Sequence, residues 1–170
     1  ATTVGALATT IQRFDAERHD LRVGRVGEGL ERGLYASFLS YLAPSAFDYP
    51  LTAHRDPRGA FVEIVKTEAQ GQVSFFTSRP GVVRGCHYHH SKTEKFVVVH
   101  GAARFRSRHL LTGERHEVDV TAEEPRVVQT IPGWVHDVVN AGDGDLVVLV
   151  WANEVFDPAR PDTVSQMVDR

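Results

Sequence analysis

With 170 residues, 42% of them hydrophobic and 24% charged, the chain is long enough to bury one sizeable core and too short for two ordinary domains. A formal charge of -3 offers no basic field to nucleic acid, and the composition is too apolar for a disordered chain. The longest apolar stretch, Gly33 to Ala43, is broken by Ser37, Ser40 and two tyrosines and falls short of the ~20 residues of a membrane span, so no membrane association is expected.

The opening residues lack the charged and apolar regions of a secretory signal and do not begin with Met, which predicts an excerpt of a longer protein. From Thr2 to about His19, Val4, Leu7, Ala8, Ile11 and Phe14 recur at helical spacing, with Thr2 or Thr3 as cap. After Gly24, Gly27 and Gly29, a second stripe of Leu30, Leu34, Phe38 and Leu42 predicts a helix that stops at Pro44. Residues 1–43 thus read as a helical pair too small to fold unaided.

Beyond Pro44 the texture changes to short Val-, Phe- and Ile-rich runs punctuated by Gly, Pro, Asp and Asn. Predicted strands are Phe61 to Lys66, Gln72 to Thr77, Gly85 to His89, Lys95 to His100, Ala103 to Arg108, Glu117 to Val120, Arg126 to Thr130, Val135 to Val139 and Leu146 to Ala152. Nine strands without intervening helices define an all-β sandwich or small barrel over residues 44–170, the last part being a tail. The single cysteine, Cys86, excludes an internal disulfide and fits a reducing, cytoplasmic compartment.

Seven of the nine histidines, His87, His89, His90, His100, His109, His116 and His136, fall within one fifty-residue window. His87 and His89 are two apart, which on a strand turns both imidazoles to one face and Cys86 to the other. Glu94 follows a short turn, His90 to Thr93, and opens the next strand beside them. Some forty residues on, Pro132-Gly133-Trp134-Val135-His136 starts another strand with a third histidine. Three imidazoles and one carboxylate suit Zn, Mn, Fe, Co, Ni or Cu, and type and spacing do not choose among them.

The segments Gly81-x5-His87-x-His89-x4-Glu94-x6-Gly101 and Pro132-Gly133-x2-His136-x3-Asn140 resemble the paired signature motifs of the cupin superfamily. The resemblance implies a jelly-roll barrel with a divalent transition metal on His87, His89, Glu94 and His136. The series Asp56-x-Arg58-Gly59-x-Phe61-x-Glu63, Gln72-Val73-Ser74 and Arg84-Gly85-Cys86-His87-Tyr88 is similar to the deoxysugar-nucleotide epimerase branch. There the two arginines meet a diphosphate, as suits the guanidinium fork.

A closer resemblance, to the C-terminal domain of capsular-polysaccharide enzymes of CapF type, covers nearly the whole chain. It rests on Arg84-Gly-x-His-Tyr-His-His-x-Lys-x-Glu-Lys-Phe96, Arg104-Phe-Arg106, Leu34-Tyr35 to Leu42, and Trp151-x-Asn153-Glu154-x-Phe156-Asp157-Pro158-x2-Pro161-Asp162-Thr163. It implies a zinc-binding cupin that epimerises a UDP-linked 4-keto-6-deoxy-N-acetylhexosamine beside its ketone. It also implies an NADPH-dependent short-chain reductase, domain or partner chain, of which residues 1–43 are the closing helices, and a homodimer whose Asp157 to Thr163 segment crosses between subunits.

Inverting a carbon beside a ketone calls for charge stabilisation and a proton carrier. Lys92, His90 and Tyr88 lie beside the ligands in sequence and are the candidate carriers, Lys92 first, with a solvated turn lysine as the plain alternative. Arg58, Arg84 and Arg106 are the candidate substrate-binding residues. Arg104, Arg106 and Arg108 alternate on one strand face, which either lines the mouth or meets water, while Trp134 and Phe156 are assigned to the core. Two other readings are weighed: a non-catalytic cupin that binds a sugar nucleotide or dimerises a reductase, and an iron oxygenase, against which the phosphate-type arginines speak.

Overall fold

The computed structural model describes residues 2–169. Two helices lead in, α1 (Val4–His19) and α2 (Gly29–Ser40), followed by a short 3-10 turn at Pro44–Ala46. Thr3 caps α1, its hydroxyl accepting from the Ala6 amide, and Phe14 is the only buried residue of that helix, edge-on to Tyr35 of α2 at 5.1 Å. The second helix ends at Ser40, one turn before Pro44, because Tyr41 and Leu42 already turn back with bonds to Phe38 and Leu39. The pair is tied to the rest of the chain mainly through the segment after α1: the Leu21 carbonyl accepts from Lys66 at 2.8 Å and the Val23 amide donates to the Lys66 carbonyl at 2.9 Å.

Eleven strands follow: β1 (Ala53–Asp56), β2 (Gly59–Thr67), β3 (Gly71–Ser78), β4 (Val83–Tyr88), β5 (Glu94–His100), β6 (Ala102–His109), β7 (Arg115–Thr121), β8 (Val127–Gln129), β9 (Trp134–Asn140), β10 (Leu146–Ala152) and β11 (Val164–Ser165). All nine predicted strands are present, and β1 and β11 are additional. They form two antiparallel sheets, ordered β1-β2-β3-β10-β5-β8 and β11-β4-β9-β6-β7.

The inner faces meet in one core of Phe76, Phe96, Val98, Ala103, Phe105, Val120, Val138, Leu146, Val148 and Val150. Each large side chain here contributes about 1.5–3 kcal/mol of burial. No helix among the described residues is long and apolar enough to cross a membrane.

Strand β4 departs from simple alternation. Its ladder with β9 slips between Gly85, opposite Asp137, and His87, opposite His136, leaving Cys86 as the extra residue of a bulge. Gly85 has φ +92°, and a Cβ there would stand 3.0 Å from the His136 carbonyl oxygen; Cys86 itself takes φ +59°, which L-residues seldom adopt. The thiol is half-buried at the bulge rather than packed into the core, and burial, then the nearby Asp137 carboxylate, push its pKa up. The bulge re-aims β4 so that His87 faces its cross-strand partner His136.

The tail folds back on its own chain. Residues 162–169 run beside β4 and β6, with β11 paired to β4 and Val168 buried. Exchange between subunits is not needed to place it. The predicted arginine face of β6 is held rather than open: Arg104 forks onto Asp119, Arg106 onto Asp137 and Asp169, and Arg108 onto the Val168 and Met167 carbonyls.

Candidate metal centre

His87, at the end of β4, His89, just past it, Glu94, at the start of β5, and His136, in β9, each present a ligating atom within 4.8 Å of all the others. The rings of His87 and His136 meet edge-on at 4.6 Å, those of His87 and His89 lie 4.9 Å apart, and Phe96 closes one side at 6.4 Å from His136. The Nε2 atoms of His89 and His136 point at the same oxygen, Glu94 Oε2, at 3.1 and 3.6 Å.

The donor chemistry fits a transition ion. His89 Nδ1 is bonded to the Asp162 carbonyl at 2.5 Å, and His136 Nδ1 lies 3.4 Å from the Trp134 carbonyl, an arrangement that leaves each Nε2 lone pair facing the cluster. His136 Nε2 is buried without a hydrogen-bond partner among the described residues. A nitrogen so placed costs stability unless something else occupies its lone pair.

Burial, then the proximity of His136 and His89, pulls the pKa of His87 down to about 4, keeping its imidazole neutral at physiological pH. For Glu94, burial acts to raise the pKa, but the facing imidazoles of His136 and His89 outweigh it and hold the carboxyl well below its usual range. Neutral imidazoles and an ionised carboxylate are the ligating forms.

Two cavities flank the cluster. One, of about 250 Å³, holds Glu94 and Lys92 together with Phe61, Glu63, Gln72, Ser74, Glu154 and Phe156. The other, a groove of about 520 Å³ at the seam of β7 and β8, reaches His136 from the far side past Trp134 and Thr130.

Of the three predicted proton carriers, Lys92 is the one at the cluster: it is 9% exposed, with Nζ 3.8 Å from Glu94 Oε1 and 3.2 Å from Thr163 Oγ1. Tyr88 and His90 alternate away from the four clustered side chains and pack edge-on to each other at 5.4 Å, with the His90 side chain 69% exposed and bonded to Asp162. Arg84 donates to the Thr77 carbonyl at 3.1 Å and lies over Phe76 at 5.2 Å; burial, then the nearby Arg58 charge, lowers its pKa. Arg58 is exposed and forks back onto Asp56, a bond that raises its own pKa. Arg106 lies across β9 from the cluster, its fork taken by the buried Asp137 at 2.8 and 2.6 Å.

Trp134 is half-buried against His109 at 5.1 Å, and Phe156 is 54% exposed over the smaller cavity rather than in the core. Sequence reasoning missed Asp162. It was visible only as one residue of the tail motif, with no local sign that it reaches the ligand turn.

A two-sheet barrel carrying three imidazoles and a carboxylate at one end defines a cupin; the cupin domain of Drosophila melanogaster CENP-C superposes on 60% of this chain and 70% of its own with a TM-score of 0.51 at 12% identity, a likeness of fold. More narrowly, the chain belongs to the polysaccharide biosynthesis C-terminal domain family, whose model matches residues 54–164. The capsular polysaccharide assembling protein CapF from Staphylococcus aureus is 40% identical with a TM-score of 0.95, over 98% of this chain and 45% of its own. A Pseudomonas aeruginosa UDP-2-acetamido-2,6-beta-L-arabino-hexul-4-ose reductase is 52% identical over 94% of this chain and 43% of its own length. The chain thus spans less than half of either relative.

Proposed function

We propose that this chain epimerises a UDP-linked 4-keto-6-deoxy-N-acetylhexosamine at the carbon beside its ketone, in the synthesis of a surface-polysaccharide precursor. The observation that carries the reading is that Phe61, Glu63, Gln72 and Ser74, four residues of the epimerase-like series, line one cavity with Glu94 and Lys92. His87, His89, Glu94 and His136 would hold a divalent transition ion, zinc by family likeness, and such an ion supplies a Lewis acid worth several kcal/mol where negative charge develops.

Lys92 is the group positioned to carry a proton at the carbon beside the ketone, with Thr163 steering its amine. Epimerisation needs a transfer on each face of the sugar, and Lys92 serves one of them. Phe61 and Phe156 wall the cavity, while Glu63 and Gln72 offer hydrogen bonds to the sugar. At about 250 Å³ the cavity is smaller than the 300–1,000 Å³ typical of whole ligands, so it takes the sugar and leaves the nucleotide outside. Arg58 and Arg84, near enough that the Arg58 charge helps to lower the Arg84 pKa, are the pair for the diphosphate.

The reductive step belongs to an NADPH-dependent reductase fused to or partnered with this chain. Val4, Leu30 and Tyr41, 84%, 57% and 89% exposed in and beside the helical pair, are the surface on which it would pack.

Incubation of the metal-loaded chain with the 4-keto sugar nucleotide in deuterium oxide tests the reaction. Deuterium enters beside the ketone, and Lys92→Met slows that entry about 10²–10⁴-fold with the metal retained. A loaded chain that leaves this proton untouched would be a sugar-nucleotide binding module instead.

A further inference from the structure

The turn between the first three ligands cannot satisfy its own backbone. Five successive amides, His90 to Glu94, donate to side chains from elsewhere: those of His90, Ser91 and Lys92 to the Asp162 carboxylate at 2.8, 2.7 and 2.8 Å, that of Thr93 to Asn153 Oδ1 at 3.0 Å, and that of Glu94 to Thr130 Oγ1 at 2.9 Å. Four of these five bonds end on the segment after β10, on Asp162 and Asn153. The same Asp162 also accepts from Ser91 Oγ at 2.9 Å, contacts His90 Nδ1 at 3.0 Å, and through its carbonyl fixes the His89 ring. Its neighbour Thr163 meets Lys92 Nζ. The tail thus templates the turn that delivers His89, Lys92 and Glu94.

We infer that Asp162 is a positioning residue for the metal centre: its carboxylate and carbonyl together set the turn and the His89 tautomer, so that metal binding and tail docking stabilise each other. Backbone amides bonded to an ionised acceptor are among the stronger protein hydrogen bonds, and three converge here on one buried-edge carboxylate. Asn153 is the natural contrast, since it holds only Thr93 and touches no ligand.

The inference rests on the metal-binding part of the function proposed above, and its test does not use turnover. Zinc affinity is measured on the full chain by competition with a chromophoric chelator, with the Co(II)-substituted absorption spectrum as a second readout. Asp162→Ala is expected to weaken zinc binding about 10–100-fold and to alter the cobalt spectrum, Asp162→Asn to fall between it and the parent, and Asn153→Ala to leave both readouts near the parent's. Hydrogen exchange checks the origin of the loss in metal-free protein: amides 90–92 lose protection in Asp162→Ala while the β9 and β10 amides keep theirs.

Asp162→Ala with zinc affinity within about threefold of the parent and an unchanged cobalt spectrum overturns the inference alone. Global loss of exchange protection overturns it as well, because Asp162 would then hold the fold rather than the site. A parent chain that binds no metal sinks the proposed function together with it.

Discussion

His136 and Asp137 are consecutive on β9, both buried, and face opposite sides of the sheet. Asp137 gives both carboxylate oxygens to the fork of Arg106, whereas His136 leaves Nε2 without a hydrogen bond among the described residues, 3.6 Å from Glu94. One buried polar group is saturated by the protein and the other is held open by it. The difference separates a group satisfied within the fold from one whose lone pair is left available. It also explains why Arg106, attractive in sequence as a phosphate ligand, has its charge spent on the outer face.

That contrast is open to direct attack. His136→Ala should abolish tight zinc binding and cut deuterium entry by a thousandfold or more, as expected from several kcal/mol of lost charge stabilisation, while the metal-free variant unfolds near the parent's temperature. Arg106→Ala should do the reverse. Leaving the Asp137 carboxylate buried and unpaired costs about 3–5 kcal/mol, a fall in Tm of about 10 °C or more by calorimetry, with zinc affinity retained.

The smallest effect is in pH. The pKa of His87 is lowered to about 4 in the folded chain, so between about pH 6.5 and 4 the unfolded chain binds the extra proton and the metal-free protein loses stability as pH falls. The loss approaches about 1.4 kcal/mol per pH unit for this one group, and His87→Gln should flatten the slope in denaturant titrations across that window.

Much of the barrel was legible because turn residues punctuate its strands and the inward positions are Val, Leu and Phe. Three of the four clustered side chains were legible because a two-residue step on a strand and a turn of fixed length bring His87, His89 and Glu94 together almost locally, and His136 was legible through its place in the second motif, Pro132-Gly133-x2-His136-x3-Asn140. The bulge at Gly85 and Cys86 was not, since simple alternation already turns His87 and His89 to one face and hides the extra residue. Strand β1 is a four-residue edge of mostly polar side chains, Ala53–Asp56, and β11 has only two residues, so neither carries a periodic signal. The partnership of Arg106 with Asp137 depends on the register of β6 against β9, and that of Asp162 with residues 89–92 on a contact some seventy positions away. Tyr88 and His90 look adjacent to the ligands in a line of text, but strand geometry sends alternate side chains apart.

The tail's hold on the ligand turn also orders events during synthesis. All four clustered side chains have been made by residue 136, yet four of the five side-chain acceptor bonds that shape the turn between them wait for Asn153 and Asp162. A nascent chain therefore carries every donor well before it can fix their arrangement. The geometry of the cluster is thus completed by the returning tail and not by the segment that contains its four side chains.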